Sequence, residues 1–270
     1  VSRTVEVVRD RDRPGAATVR VDGTEQSYVD LDDPTRLEFD YVRRMADVVD
    51  TSWPAGEQVR SLHVGGAGMT LARYVVATRP RSRQLVLEPD AALTELVRRE
   101  LPLPERSGIR VRPQDGRTGV ASLRDEAYDL VVVDAFDGAR VPADLVTREW
   151  YADVARVAGP GGIVLLNLAD RAPFGFVRNA LRAIETSLPH LLVSAEPATL
   201  KGRRHGNVLV VASRSPVDPG PLSRRAASSP FPYRVLDTAQ VRDRLAGGEA
   251  FTDERSEPSP APPGGATFFS

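Results

Sequence analysis

Along the first thirty residues apolar positions alternate with polar ones, and then the spacing stretches to three and four. TVEVV and ATVRVDG, on either side of DRDRPGA, predict two strands joined by a polar turn, and TEQSYVDL predicts a third. In DPTRLEFDYVRRMADVV the apolar residues Leu37, Tyr41, Met45 and Val48 or Val49 recur at helical spacing behind an Asp-Pro start. WPAGEQ closes this stretch, a small β-rich unit over residues 1–58.

From Ser61 the rhythm becomes strand, helix, strand, helix. LHV, QLVLE, IRVRPQD, YDLVVVDAF and GGIVLLNL predict strands. MTLARYVVATR, AALTELVRREL, TREWYADVARVA and FGFVRNALRAIETSL predict helices, with a short helical connection after IRVRPQD. VVV and IVLLNL are apolar throughout, as strands covered on both faces must be. HLLVSAE and NVLVVAS, around a tight KGRRHGN turn, add a closing pair with one strand antiparallel. The pattern predicts an α/β fold: a doubly wound, mostly parallel, seven-stranded Rossmann-like sheet over residues 59–214. Residues 215–252 read as a Pro/Ser-rich linker and a short helix, DTAQVRDRLAGG. Residues 253–270 read as a disordered tail whose terminal Phe-Phe frays.

Composition narrows the class. The chain is 41% hydrophobic and 27% charged, with a net charge of -1, so neither nucleic acid nor an anionic membrane is an expected partner. Arginine replaces lysine everywhere except Lys201, a bias that reads as genomic base composition. Without cysteine there are no disulfides or thiolate metal sites, and His63, His190 and His205 lack metal-binding spacing, so no metal is expected. No apolar run is long enough to span a bilayer, and VSRTVEVVRD has no signal-peptide pattern, so a cytoplasmic protein is expected.

The candidate chemistry starts at SLHVGGAGMT, where a strand stops at glycines and a helix follows at once. Such a bend leaves backbone N–H groups facing a crevice. Gly65, Gly66 and Gly68 form the turn, but Leu71 stands where a dinucleotide fingerprint has its third glycine. Glu88 ends the next strand, at the distance from which a carboxylate reaches ribose hydroxyls. NAD and S-adenosylmethionine fit these two features equally, and a plain tight turn explains the glycines alone. Two later strand ends tilt the choice: Asp115, able to accept from an adenine amino group beside the small Gly116, and Asp134 with Asp137 in VVVDAFDG. A carboxylate leaving a buried strand is costly unless paired or useful; a loop cap is the alternative for both aspartates.

DAFDGARVPADLVTREWYADVARVAGPGGIV, together with LEFDY and Gln26, resembles the spermidine synthase family, the polyamine aminopropyltransferases, with their class I methyltransferase-like fold. The likeness runs from about Gln26 to Ser213, and divergent actinobacterial members look nearest. It implies that Gln26, Gly65, Gly66, Gly68, Glu88, Asp115 and Gly116 bind the co-substrate. Asp134 would accept a proton from the amine or orient it, and Asp137 and Tyr41 would hold a diamine such as putrescine. It also implies decarboxylated S-adenosylmethionine as co-substrate, without metal, and makes a homodimer plausible. Three departures follow. Gly68 stands where the family has the aspartate associated with the aminopropyl amine, and Val42 replaces a polar residue. The basic LKGRRHGN replaces a Pro-Ser and aromatic stretch; Arg203 and Arg204 there either repel a diamine or form a solvated hairpin tip. Methyl transfer from intact S-adenosylmethionine to a small substrate, or nucleoside binding without turnover, are the alternatives. An NAD-linked dehydrogenase comes last, for want of a hydride site.

Overall fold

The computed structural model describes residues 3–263. Strands β1 (Val5–Arg9), β2 (Ala16–Val21) and β3 (Thr24–Asp30) form an antiparallel meander, followed by α1 (Asp40–Ser52). Then come β4 (Arg60–Val64), α2 (Thr70–Thr78), β5 (Arg83–Leu87), α3 (Ala91–Glu100), β6 (Ile109–Arg112), α4 (Gly116–Ala121) and β7 (Tyr128–Val133). A 3-10 turn at Ala143–Leu145 leads to α5 (Arg148–Val157), β8 (Ala158–Asp170), α6 (Gly175–Glu185), β9 (His190–Ala195), α7 (Pro197–Leu200) and β10 (Gly206–Ser213). The chain continues through α8 (Pro219–Ser228), β11 (Arg234–Leu236) and α9 (Thr238–Arg244).

The large sheet runs β11-β9-β10-β8-β7-β4-β5-β6. β6, β5, β4, β7 and β8 run parallel to one another, and β10 is antiparallel to both β8 and β9. Consecutive residues of the apolar runs serve opposite faces. Val131 and Val133 join the cluster that contains α5 and α6 residues, while Leu130 and Val132 join the one that contains α1 and α2 residues. That is why these strands carry no polar alternation.

β4 is the switch point, with β5 on one side and β7 on the other. Register does the rest. Val64 pairs with Leu87 and with Val133, and Val133 pairs with Leu166. The residues next in line, Gly65, Glu88 and Asp134, therefore leave the sheet at one level along its carboxyl edge, while β8 runs on and holds Asn167 at that level, paired with Leu209 of β10. Ligands of open α/β sheets bind at that edge.

The C-terminal part departs from expectation. The sheet has eight strands, because β11 pairs with β9 at the edge. The Pro/Ser-rich segment expected as a linker carries α8, started by the Asp218 cap and Pro219 in the first turn. Leu222 and Ala226 of α8 bury against the α1 side of the core, and Arg225 pairs with Asp47 and Asp50 of α1. The segment expected as a disordered tail is packed as far as residue 263. Phe251 and Ser259 are buried, Ser259 N–H donates to the Val141 carbonyl, and Val141 N–H donates to Ser259 Oγ. These are single side chains anchored to distant loops, which leave no periodic trace in sequence. The terminal Phe-Phe lies outside the described residues.

No helix among the described residues is long and apolar enough to cross a membrane.

Candidate active site

The turn after β4 is built by close approach. Gly65 has φ +95°, and a side chain there would sit 2.2 Å from the Asp134 carbonyl, so only glycine lets the β4 and β7 ends meet. The turn's donors do not face the crevice unpaired, as the sequence suggested. Gly66 and Ala67 N–H donate to Glu88 Oε2 (2.9 and 3.2 Å), and Gly68 N–H donates to Ser27 Oγ of β3 (3.0 Å). At Gly68 an added Cβ would lie 2.7 Å from Ser27 Cβ and 2.9 Å from a Val29 methyl. The N-terminal sheet closes the place where an aspartate was compared with it.

Over this turn opens a cavity of about 430 Å³. Gln26, Gly65, Gly66, Glu88, Asp115, Gly116, Asp134 and Asp137 all line it. Of the expected co-substrate residues, Gly68 alone does not, being buried under β3. Glu88 is held by the turn and by Asp90 N–H (3.0 Å to Oε1). Asp115 caps α4 through Thr118 N–H (2.9 Å), and that hydrogen bond holds its carboxyl below the usual range. Gly116 packs against Val64 and Leu145, with no space for a side chain. Asp137 is exposed and pairs with Arg3.

A smaller cavity of about 70 Å³ lies behind, lined by Tyr41, His63, Asp134 and Phe136 among others. Asp134 opens partly onto the cleft, yet packing around its carboxylate pushes its pKa up to about 6; Asn167 Nδ2 donates to Oδ1 (2.9 Å) and opposes the rise. Burial and the neighbouring Asp134 push the Tyr41 hydroxyl well above its ordinary pKa, so it stays protonated and can donate. His63 is buried, with Nε2 3.0 Å from both Ser61 Oγ and Gln84 Oε1, and burial pushes its pKa down to about 4. Tyr41 and Asp137, expected to share one ligand, face different cavities: Tyr41 the inner one, Asp137 the outer cleft.

Sequence reading missed Asn167 and Asn207. Asn207 Nδ2 donates to Asn167 Oδ1 (3.0 Å), extending a chain of amides to Asp134. The available signal was the single polar residue in IVLLNL, one position past the level of Val133.

The larger cleft is acidic. Seven of its lining residues are carboxylates, and Arg3 is the one cation among the described residues that line it. Such a cavity is complementary to a compact, polar, positively charged ligand.

No family model matches the chain. It is 28% identical to the polyamine aminopropyltransferase of Chromobacterium violaceum over 194 residues, which are 71% of this chain and 69% of that protein. Among solved structures it superposes on a probable spermidine synthase from Corynebacterium glutamicum with a TM-score of 0.87, at 27% identity over 93% of both chains. Human methyltransferase-like protein 13, solved in complex with SAH, matches with a TM-score of 0.55 at 18% identity, over 78% of this chain and 93% of that one, a likeness of fold.

Proposed function

Because the chain is a divergent relative of the polyamine aminopropyltransferases, we propose that it transfers an aminopropyl group from decarboxylated S-adenosylmethionine to a primary amine. The observation that carries this reading is the charge of the cleft together with the state of its glycine turn. Decarboxylated S-adenosylmethionine brings a sulfonium and an ammonium, and no anion. Intact S-adenosylmethionine adds a carboxylate, which needs a donor seat. The N–H groups of Gly66, Ala67 and Gly68 are already used by Glu88 and Ser27, and Arg3 is paired with Asp137. At an effective dielectric of about 20, a ligand carboxylate roughly 6 Å from one cleft carboxylate meets a repulsion of roughly 3 kcal/mol. Several such neighbours outweigh one exposed arginine.

In this reading Glu88 takes the ribose hydroxyls, Asp115 and Gly116 the adenine side, and Gln26 with Gly65 and Gly66 frames the nucleoside. Asp134 orients the attacking amine beside the methylene carbon next to sulfur, and Tyr41 supports the amine from the inner cavity. Asp137 stays at the outer rim, on the path by which cations enter. The carboxylate's raised pKa suits a group that must be ionised, and close to proton exchange, near neutral pH.

Methyl transfer from intact S-adenosylmethionine is the second reading, and Gly68 favours it. The aspartate associated with the aminopropyl amine has no room there.

Calorimetry with S-adenosylmethionine, its decarboxylated form and methylthioadenosine separates the two. The expected result is at least tenfold tighter binding of the decarboxylated form, with methylthioadenosine released when an amine is added. Tighter binding of the intact form would replace this reading with methyl transfer. Binding without release on any amine would leave a nucleoside-binding protein.

A further inference from the structure

A narrow slot of about 30 Å³ adjoins the nucleoside cleft, sharing Thr24, Gln26, Phe136 and Gly138 with it. Its walls include Phe39, Tyr41 and Phe136, and Asn167 and Asn207 close its polar side. Phe39 and Tyr41 stack with ring centroids 5.9 Å apart. Tyr41 and Phe136 also line the small cavity that holds Asp134, and Asn167 on the slot's wall donates to the Asp134 carboxylate, so slot and carboxylate are neighbours. An acceptor with its amine at Asp134 extends its far end along this slot.

The far end meets neutral groups. Asn207 Nδ2 is engaged by Asn167, which leaves Asn207 Oδ1 as an acceptor. Glu25 is the one carboxylate among the described residues lining the slot, and Arg20 neutralises it at 2.6 Å. Behind Asn207 lies Arg44, 4% exposed, whose guanidinium donates to the Asn207 carbonyl (3.5 Å) and the Ser194 carbonyl (3.2 Å). No carboxylate forms an ion pair with Arg44 among the described residues. An ammonium placed here would exchange its water for amide oxygens while facing a buried positive charge. A hydroxyl or amide would lose little.

Resting on the aminopropyl-transfer reading, we infer that the acceptor is a primary amine whose far end is an uncharged hydrogen-bonding group, of the amino-alcohol or amino-amide class, with Asn207 and Asn167 setting that preference. The amine's lone pair forms a C–N bond at the methylene next to sulfonium. The C–S pair passes to sulfur, a neutral thioether leaves, and the surplus N–H proton goes to the Asp134 carboxylate.

The test compares 4-amino-1-butanol with putrescine, two acceptors of matched length, on the full chain with decarboxylated S-adenosylmethionine. The amino alcohol is expected to have at least a tenfold higher kcat/KM. Asn207→Asp, which places a carboxylate at the slot's end, is expected to reduce that ratio at least tenfold in favour of putrescine. Putrescine used as well as or better than the amino alcohol by the wild-type chain would overturn the inference, and so would a ratio unchanged in Asn207→Asp. The wild-type comparison decides even where the variant does not fold. Failure of the underlying reading looks different: the decarboxylated form does not bind, or no amine releases methylthioadenosine, and the inference falls with it.

Discussion

Asp134 carries a cost that can be measured apart from any reaction. Its folded pKa of about 6 lies above the ordinary aspartate value of 3.8, with burial as the first cause. Between those two values the folded chain keeps the proton while the unfolded chain releases it. Stability from this group is therefore full below about pH 4, and is lost as pH rises through about 6. Two units would correspond to about 3 kcal/mol; water in the adjoining cleft reduces this to about 2 kcal/mol. Asp134→Asn removes the titration, so the melting-temperature gap between variant and wild type should widen in the variant's favour from pH 4 to pH 7. A gap independent of pH would show that Asp134 does not titrate in this window. Turnover should fall 10²–10⁴-fold in the same variant with methylthioadenosine affinity retained, and the wild-type kcat/KM should decline below about pH 6 as the carboxylate protonates. Glu88, Asp115 and Asp134 were legible one at a time, because each stands at or just past the end of a predicted strand. Asn167 became significant only when register set it beside Asp134, and the partner of Asn207 lies forty residues away in sequence.

At the scale of elements, the glycine bend and the N-terminal sheet make one unit. The bend is readable from GGAGMT. What fills it is not, since Ser27 and Val29 arrive from a strand about forty residues upstream. The backbone at Gly68 has no positive φ, so a side chain there fails for space alone. Gly68→Ala should cost about 1–3 kcal/mol by overpacking against β3. Ser27→Gly removes the nearest obstructing atoms and should recover at least part of that loss. Denaturant melts of the two single variants and the double variant measure the coupling directly. Additive costs would mean that β3 moves aside freely and that Gly68 is not held by it. The same contact explains why restoring an aspartate at this position should lower stability before it changes co-substrate choice.

Across the whole molecule, legibility follows periodicity. The parallel sheet was readable because strands alternate with amphipathic helices and runs such as VVV and IVLLNL are apolar throughout; the switch point at β4 emerged only from the strand order of the fold. Beyond Ser213 only α9 was readable; α8, β11 and the packed segment up to residue 263 were not, because much of that order comes from isolated residues gripping distant loops. Phe251 carbonyl accepts from Arg148 N–H, and Asp253 accepts from Thr147 Oγ1 and Arg117 Nη2 (2.6 Å each). Ser259 exchanges two hydrogen bonds with Val141 (2.9 and 3.0 Å). These anchors hold the first turn of α4, the start of α5 and the loop before it, and Gly116, Pro142 and Leu145 on those elements line the nucleoside cleft. The C-terminal segment thus braces the cleft wall from behind. Its Arg117–Asp253 pair is partly exposed and is worth under about 1 kcal/mol. Ser259 is fully buried, and its loss strands the Val141 N–H at a cost of about 1–3 kcal/mol. Ser259→Ala should therefore weaken methylthioadenosine binding about five- to twentyfold in calorimetry, through the wall at Pro142 and Leu145. Ser228→Ala, on an exposed face of α8 remote from the cleft, should leave that affinity unchanged. A Ser259→Ala protein that melts lower but binds the nucleoside with wild-type affinity would reduce the segment to a structural clasp, with no bearing on the cleft.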